Sequence, residues 1–146
     1  MIARTEISQF RILIVEDHQL FLQFLDSTLR QLPNVKVVDK VQNGLDAVER
    51  AEALQPDLIL LDIGLPGLNG IDAAYRIRRL APDSRIIFVT QENSADTVRE
   101  AFGLGACGYV IKAQAAKDLP AAIDAVLGGK TFASDGVDGY AQLSRT

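Results

Sequence analysis

The sequence has no tryptophan and only one cysteine, one histidine and one methionine. A single cysteine, Cys107, excludes an internal disulfide and fits a reducing compartment, where we expect it to be a small buried hydrophobe. No apolar run approaches the roughly 20 residues that a membrane-spanning helix needs. Residues 1–9 also lack the apolar core of a secretory signal. We therefore predict a cytoplasmic protein with no membrane partner.

Positive charge is also scarce, because 15 Lys and Arg side chains stand against 19 Asp and Glu. The resulting net charge of -4 argues against a surface that neutralises a phosphodiester backbone. We therefore predict that this chain alone binds no nucleic acid. What the sequence does have is a large apolar fraction, 48% of 146 residues, which is enough for one domain with a single core.

Segments with strand character alternate five times with segments of helical periodicity. Such alternation predicts an α/β domain with a parallel sheet, helices on both faces and right-handed crossovers. We place the domain at residues 10–130, after a polar lead over 1–9 and before a polar, frayed tail over 131–146 that shows no periodicity. The predicted strands are 10–15, 35–38, 58–61, 85–89 and 108–111.

The helical segments support several local predictions. Leu20 is placed on the apolar face of the first helix, and Leu45 on that of the second. Asn43 and Ser94 are predicted to cap the second and fourth helices. Pro120 is compatible with the last helix only if it falls in the first turn.

Polar side chains stand at the carboxyl ends of four predicted strands. Glu16 and Asp17 follow the first strand, and Asp62 follows the third. Thr90 ends the fourth strand and Lys112 the fifth. The carboxyl ends of parallel strands meet at one edge of a sheet, where α/β proteins bind their ligands. We therefore expect these five residues to form one site.

Three carboxylates at one edge repel one another, by about 4 kcal/mol for a pair about 4 Å apart at an effective dielectric of about 20. Such a cluster persists by raising a pKa or by holding a cation. An acidic, all-oxygen site suits Mg²⁺. The Thr90 hydroxyl and the Lys112 ammonium suit the oxygens of a transferring phosphoryl group, with Asp62 as the nucleophile that becomes an aspartyl phosphate.

These residues stand in short motifs that resemble those of the response-regulator receiver domains of bacterial two-component signalling. The resemblance extends from Arg11 to Leu127, which is most of the chain. The motifs are Val15-Glu16-Asp17, Leu61-Asp62, Leu65-Pro66-Gly67, Asn69-Gly70, Val89-Thr90 and Gly108-Tyr109-Val110-Ile111-Lys112.

The resemblance implies a flavodoxin-like (βα)5 fold, doubly wound, with five parallel strands in the order 2-1-3-4-5. It implies that a sensor histidine kinase transfers a phosphoryl group to Asp62. The implied Mg²⁺ ligands are Glu16, Asp17, Asp62 and the backbone carbonyl of Gly64. Glu16, where Asp is the commoner residue, is expected to orient the metal or its water.

A switch mechanism follows from the charge of about -1.5 to -2 that a phosphoryl group adds at Asp62. The Thr90 hydroxyl is expected to move toward that group, and Tyr109 to fill the space it leaves, a coupling that the resemblance also implies. The face formed by the fourth helix, fifth strand and fifth helix would then change and control an output. Phosphate lifetime is expected to be short, because Gly64 offers no shielding side chain and Glu92 can hydrogen-bond an attacking water.

The segments Glu16-Asp17-His18 and Gly128-Gly129-Lys130-Thr131-Phe132 are most similar to the branch whose receivers precede a helix-turn-helix DNA-binding domain. Too few residues follow Thr131 for such a domain, so the chain is either a stand-alone receiver or a fragment of a transcriptional regulator. Homodimerisation on phosphorylation is expected through the last helix or through the face formed by the fourth helix, fifth strand and fifth helix. His18 is expected in the first turn of a helix, near the site.

Two other functions stay open at this point. A phosphatase of the haloacid dehalogenase type also uses Asp, Thr and Lys around Mg²⁺, but it places a second Asp two residues after its nucleophile, where this chain has Gly64. A degenerate receiver that acts only as a protein-binding adaptor would lack one of the acidic, Thr or Lys positions, and none is lost here.

Overall fold

The computed structural model describes residues 9–137. Strands and helices alternate along this range, and a short 3-10 turn, Lys112–Gln114, precedes the last helix. The strands are β1 (Phe10–Val15), β2 (Val35–Val41), β3 (Leu58–Leu61), β4 (Arg85–Thr90), β5 (Gly108–Ile111) and β6 (Phe132–Ala133). The helices are α1 (Gln19–Arg30), α2 (Gly44–Leu54), α3 (Gly70–Leu80), α4 (Ala95–Gly103) and α5 (Ala115–Leu127).

All strand pairs are parallel, and the sheet has the order β2-β1-β3-β4-β5-β6. The strand order reverses at β1, because the chain first adds β2 on one side and then β3 on the other. The predicted flavodoxin-like α/β fold and the order 2-1-3-4-5 are therefore confirmed. The predicted number of strands was one too few.

The sixth strand lies in a segment predicted to be a frayed polar tail. Phe132 and Ala133 pair with Gly108 and Tyr109 of β5, and the side chains of Ser134 and Val137 are buried. The prediction was wrong here because a strand of two residues is too short to show a period of two. The domain boundaries themselves stay a prediction.

The core lies on both faces of the sheet, as expected for parallel strands covered by helices. Every residue of β3 is fully buried. One face packs against α2, α3 and α4, and the other against α1 and α5. Within residues 9–137, no helix is long and apolar enough to cross a membrane.

Asn43 and Ser94 cap their helices as predicted, since each side chain accepts a hydrogen bond from a backbone N–H three residues later. Two predicted apolar faces were partly wrong, because the exposed fractions of Leu20 and Leu45 are 81% and 54%. Helix α2 buries Gly44, Ala47 and Ala51 instead, and its first residue lies against the loop after β3. A Cβ on Gly44 would lie 1.8 Å from the Leu68 carbonyl oxygen.

Two further predictions need correction. Pro120 is not in the first turn of α5, because that helix begins at Ala115 as a continuation of the 3-10 turn. Pro120 is thus the sixth helical residue, and its ring lines an open cleft beside the end of α1. Cys107 is only partly buried, and it packs against the edge of the core on the α1 and α5 face.

Candidate functional site

The loop after β3 fixes the Asp62 carboxylate at the carboxyl edge of the sheet. The Asp62 side chain accepts a 2.7 Å hydrogen bond from the Ile63 N–H through Oδ1 and is almost fully buried. The loop then folds back so closely that a Cβ on Gly70 would lie 1.9 Å from the Asp62 carbonyl oxygen. Only glycine fits at that position, and the start of α3 is thereby held against the site.

Lys112 joins the ends of three strands. Its ammonium lies 2.9 Å from Asp62 Oδ2 and 2.9 Å from Glu16 Oε2, and the side chain is 10% exposed. Burial disfavours the charged ammonium, but the hydrogen bonds to Asp62 and Glu16 outweigh it and raise the pKa of Lys112 above its usual value. Lys112 therefore carries its positive charge between two buried carboxylates.

Two carboxylate oxygens at the site have no hydrogen-bond donor. They are Glu16 Oε1 and Asp17 Oδ1, and both are buried. Oxygens of Glu16, Asp17 and Asp62, with a ring nitrogen of His18, all lie within 4.8 Å of one another. Buried carboxylate oxygens without donors fit a hard divalent cation such as Mg²⁺.

His18 lies at the site, but directly before the helix and not in its first turn as predicted. It is the N-cap of α1 rather than a residue of its first turn, and its side chain makes no capping bond. Its Nδ1 lies 3.1 Å from Glu16 Oε2 and 3.5 Å from Asp17 Oδ1. Imidazole is a weaker ligand than oxygen for Mg²⁺, so we place His18 beside the acidic cluster rather than in a Mg²⁺ ligand set.

Thr90 and Tyr109 contact the same residue, Glu92, from two sides. The buried Thr90 hydroxyl accepts a 3.3 Å hydrogen bond from the Glu92 N–H. The Tyr109 hydroxyl donates a 2.6 Å hydrogen bond to the Glu92 carbonyl. The Tyr109 ring is fully buried between Phe88 and Phe102, with centroid distances of 6.2 and 6.4 Å.

The buried position of Tyr109 bears on its predicted role. Burial raises the pKa of the hydroxyl, and the nearby charges of Glu92 and Asp62 raise it further. The raised pKa keeps the hydroxyl protonated, as its hydrogen bond to the Glu92 carbonyl requires. Its part in a switch stays a prediction.

Gly64 and Glu92 face a common open cleft of about 380 Å³, which begins at the residue after Asp62 and is not lined by Asp62 itself. A Cβ on Gly64 would meet no atom within 4 Å, so a side chain there could extend over the site. Both residues are exposed. The cleft is lined by Ile63, Gly64, Asn69, Ile71, Asp72, Glu92, Thr97 and Glu100.

One residue at the site was missed by the sequence reasoning. The ring centroid of Phe21 lies 4.9 Å from the Lys112 ammonium. The signal available was its position in the first turn of the helix that begins two residues after Asp17, at the carboxyl edge of the sheet.

The structure thus brings together Glu16, Asp17, Asp62, Thr90 and Lys112 at one edge, and residues 12–124 match the response regulator receiver domain family. The chain belongs to that family. As a receiver, it is a signalling domain of two-component systems rather than an enzyme of the classical kind. The membership argues against the phosphatase alternative.

Curated relatives include the nitrate/nitrite response regulator protein NarL of Escherichia coli strain K12, 32% identical over 124 residues, which are 85% of this chain and 57% of NarL. The response regulator UvrY of Escherichia coli O157:H7 is 29% identical over 134 residues, or 92% of this chain and 62% of UvrY. The chain therefore spans less than two thirds of the length of these relatives.

Solved structures share the fold closely. A LuxR-family two-component response regulator from Aurantimonas sp. SI85-9A1 has a TM-score of 0.86 and 29% identity, covering 94% of this chain and 99% of that one. The isolated receiver domain of RcsB from Salmonella enterica serovar Typhimurium, with the phosphomimetic BeF3-, has a TM-score of 0.83 and 27% identity, covering 88% and 96%.

Proposed function

We propose that this receiver is a phosphorylation-activated switch in which Asp62 accepts a phosphoryl group from the phosphohistidine of a sensor histidine kinase, with Mg²⁺ as cofactor. The observation that carries the proposal is the Lys112 ammonium, 2.9 Å from both Asp62 and Glu16. Beside it lie the buried oxygens of Glu16 and Asp17 that lack donors. A fixed cation and carboxylate oxygens free to bind a metal are what phosphoryl transfer to a carboxylate requires.

In the proposed reaction, an oxygen of Asp62 forms a bond to phosphorus while the bond from phosphorus to the histidine nitrogen breaks. The electron pair of the broken bond stays on that nitrogen. Lys112 and the Thr90 hydroxyl then pair with phosphoryl oxygens. Glu16, Asp17, Asp62 and the Gly64 carbonyl are the proposed Mg²⁺ ligands, and the bound ion supplies charge compensation for the phosphoryl group.

We infer that the phosphoryl group is short-lived. A Cβ on Gly64 would meet no atom within 4 Å, so Gly64 offers no shield two residues after Asp62, and Glu92 lines the same cleft as Gly64, where its carboxylate can hold an attacking water. A Gly64→Leu variant should lose its phosphate more slowly than the parent. An equal or faster loss would contradict control by access.

We further infer that Glu92 transmits the signal, because Thr90 holds its N–H and Tyr109 holds its carbonyl. When the Thr90 hydroxyl donates to a phosphoryl oxygen, the turn over residues 90–92 shifts toward the site. The Tyr109 ring, already inside, then holds the shifted turn in place. The surface formed by α4, β5 and α5 changes as a result.

The output is proposed to be transcriptional. The relatives extend beyond the region that this chain matches, and a structural neighbour has been solved with DNA. One neighbour with a TM-score of 0.83 and 27% identity is the RcsB response regulator in complex with DNA. For this chain alone, the net charge of -4 supports no DNA binding, so DNA contacts would come from an output domain outside it. Homodimerisation on phosphorylation through the α4, β5 and α5 surface is part of the same proposal.

The decisive experiment is self-labelling with acetyl phosphate in the presence of Mg²⁺. The parent should gain one acid-labile phosphoryl group. Asp62→Ala and parent in excess EDTA should gain none. Undiminished labelling in either case would overturn the assignment of Asp62 or of the metal.

The same experiment tests the adaptor alternative, since a degenerate receiver would not label itself under any condition. Asp57→Ala is a less suitable control, because Asp57 accepts a hydrogen bond from the Arg11 N–H. Asp83→Asn is suitable, since Asp83 is an exposed residue of a turn. It should label at the rate of the parent.

A further inference from the structure

The ring of Phe21 lies beside the ammonium of Lys112. Among residues 9–137, Lys112 is the only lysine that contacts the carboxylates of the site. The distance from Nζ to the ring centroid is 4.9 Å, within the roughly 6 Å over which a cation and an aromatic ring attract each other. The side chain of Lys112 is only 10% exposed. Such an interaction is stronger when the cation is shielded from water.

The Phe21 ring and three polar side chains lie around the ammonium. Glu16 and Asp62 each take a 2.9 Å contact, and Nδ1 of the mostly exposed His18 lies 3.5 Å away. Lysine has a flexible four-carbon stem and loses considerable rotamer entropy when it is held in one place. A wall on the Phe21 side therefore reduces the positions that the ammonium can occupy.

Phe21 is itself held in place. Its ring packs against that of Phe24 at a centroid distance of 5.4 Å and an angle of 36°, and both rings pack against the core on the α1 and α5 face. An aromatic pair of this kind prefers a tilted or offset geometry. The ring beside Lys112 is thus part of a packed surface rather than a mobile side chain.

We propose that Phe21 is a positioning residue for phosphoryl transfer, whose ring holds the Lys112 ammonium where it meets both Asp62 and the incoming phosphoryl group. Phe21 acts through Lys112 and does not contact the reacting atoms. The proposal rests on the proposed function of Asp62, and it adds a residue outside the set of strand-end side chains.

The test compares variants in self-labelling with acetyl phosphate at saturating Mg²⁺. Phe21→Leu keeps an apolar side chain but loses the ring, and its maximal rate should fall about three- to tenfold. The Mg²⁺ concentration for half-maximal labelling should stay the same. Phe21→Tyr restores a ring and should restore the rate. Phe10→Leu makes the same change in another ring that packs against the α1 and α5 face of the core, at the amino end of β1, and is the matched control, with a rate close to that of the parent.

A second measurement does not depend on labelling. In the proton NMR spectrum, the ring current of Phe21 should shift the Lys112 methylene resonances nearest the ammonium upfield. The shift should disappear in Phe21→Leu and persist in Phe21→Tyr and Phe10→Leu.

The outcomes separate the two proposals. Equal rates for the parent and Phe21→Leu, or equal losses in Phe21→Leu and Phe10→Leu, would overturn the role of Phe21 and leave Asp62 as the phosphoacceptor. A rate in Phe21→Tyr as low as that in Phe21→Leu would also overturn it. A parent that takes up no phosphoryl group would instead overturn the proposed function.

Discussion

Two groups of buried carboxylates in this protein differ in how their oxygens are paired. At the carboxyl edge of β1 and β3, Glu16 and Asp17 each keep one buried oxygen without a hydrogen-bond donor. On α5, the buried Asp118 accepts a 2.6 Å hydrogen bond from the Ser134 hydroxyl. That hydroxyl also accepts a 3.0 Å hydrogen bond from the Ile111 N–H.

The difference separates a binding site from a structural contact. A buried carboxylate with unpaired oxygens carries a cost, which a bound cation can offset. A buried carboxylate whose partner is built into the fold holds two parts of the chain together. Here Asp118 and Ser134 attach the segment after β6 to α5, whereas the acidic cluster keeps two oxygens without donors. Substitutions of Asp118 and Asp17 test this distinction.

The largest expected effect comes from breaking the structural contact. Asp118→Ala should lower the free energy of unfolding by about 2–3 kcal/mol, because the buried Ser134 hydroxyl loses a charged acceptor. Urea-induced unfolding without Mg²⁺ measures the change. Asp124→Ala on the same helix is the control, since Asp124 is exposed and should change stability by less than about 0.5 kcal/mol. A similar small change in Asp118→Ala would mean that the contact is not structural.

A substitution in the acidic cluster is expected to change the free energy of unfolding in the opposite direction. Asp17→Asn removes the charge of one of the three carboxylates in the acidic cluster, and should raise the free energy of unfolding without Mg²⁺ by about 1 kcal/mol, a value kept low because Asp17 is partly exposed. Adding Mg²⁺ should stabilise the parent by mass action but should stabilise Asp17→Asn much less.

Thermal unfolding with and without Mg²⁺ checks this pair of effects, and Asp83→Asn serves as a charge-matched control that keeps the response of the parent. Loss of stability in Asp17→Asn without Mg²⁺ would show that its carboxylate is paired after all. The contrast between the unpaired oxygens of the acidic cluster and the paired carboxylate of Asp118 would then be wrong.

The smallest expected effect is on how far the change in amide exchange spreads from Asp62. Thr90→Ala should still accept beryllofluoride at Asp62, but the change in amide exchange over residues 90–112 should shrink, by up to about tenfold for the loss of one hydrogen bond. Thr90→Ser keeps the hydroxyl and should keep the response. The Ser134 N–H donates a hydrogen bond to the Tyr109 carbonyl. Its exchange rate should be the same in the parent, Thr90→Ala and Thr90→Ser. An unchanged response in Thr90→Ala would rule out the coupling through Glu92.

The sequence alone determined the fold and the membership of the site. Alternating strand and helix patterns specify a parallel sheet, and the carboxyl ends of parallel strands necessarily lie on one edge. Glu16, Asp17, Asp62, Thr90 and Lys112 could therefore be assigned to one site from their positions after strands. Short-range signals such as the caps at Asn43 and Ser94 were equally readable, because a cap depends only on neighbouring residues.

Only the tertiary structure decided the contacts within the site. That Lys112 bridges Glu16 and Asp62, that Tyr109 lies inside and bonds to Glu92, and that Phe21 adjoins Lys112 depend on how helices pack on a twisted sheet. The exposure of Leu20 and Leu45 has the same origin, since periodicity indicates an apolar face but not how much of it the neighbouring elements cover. The two-residue strand β6 could not be read at all, because its pairing with β5 and the Ser134 contact are made to residues distant in sequence.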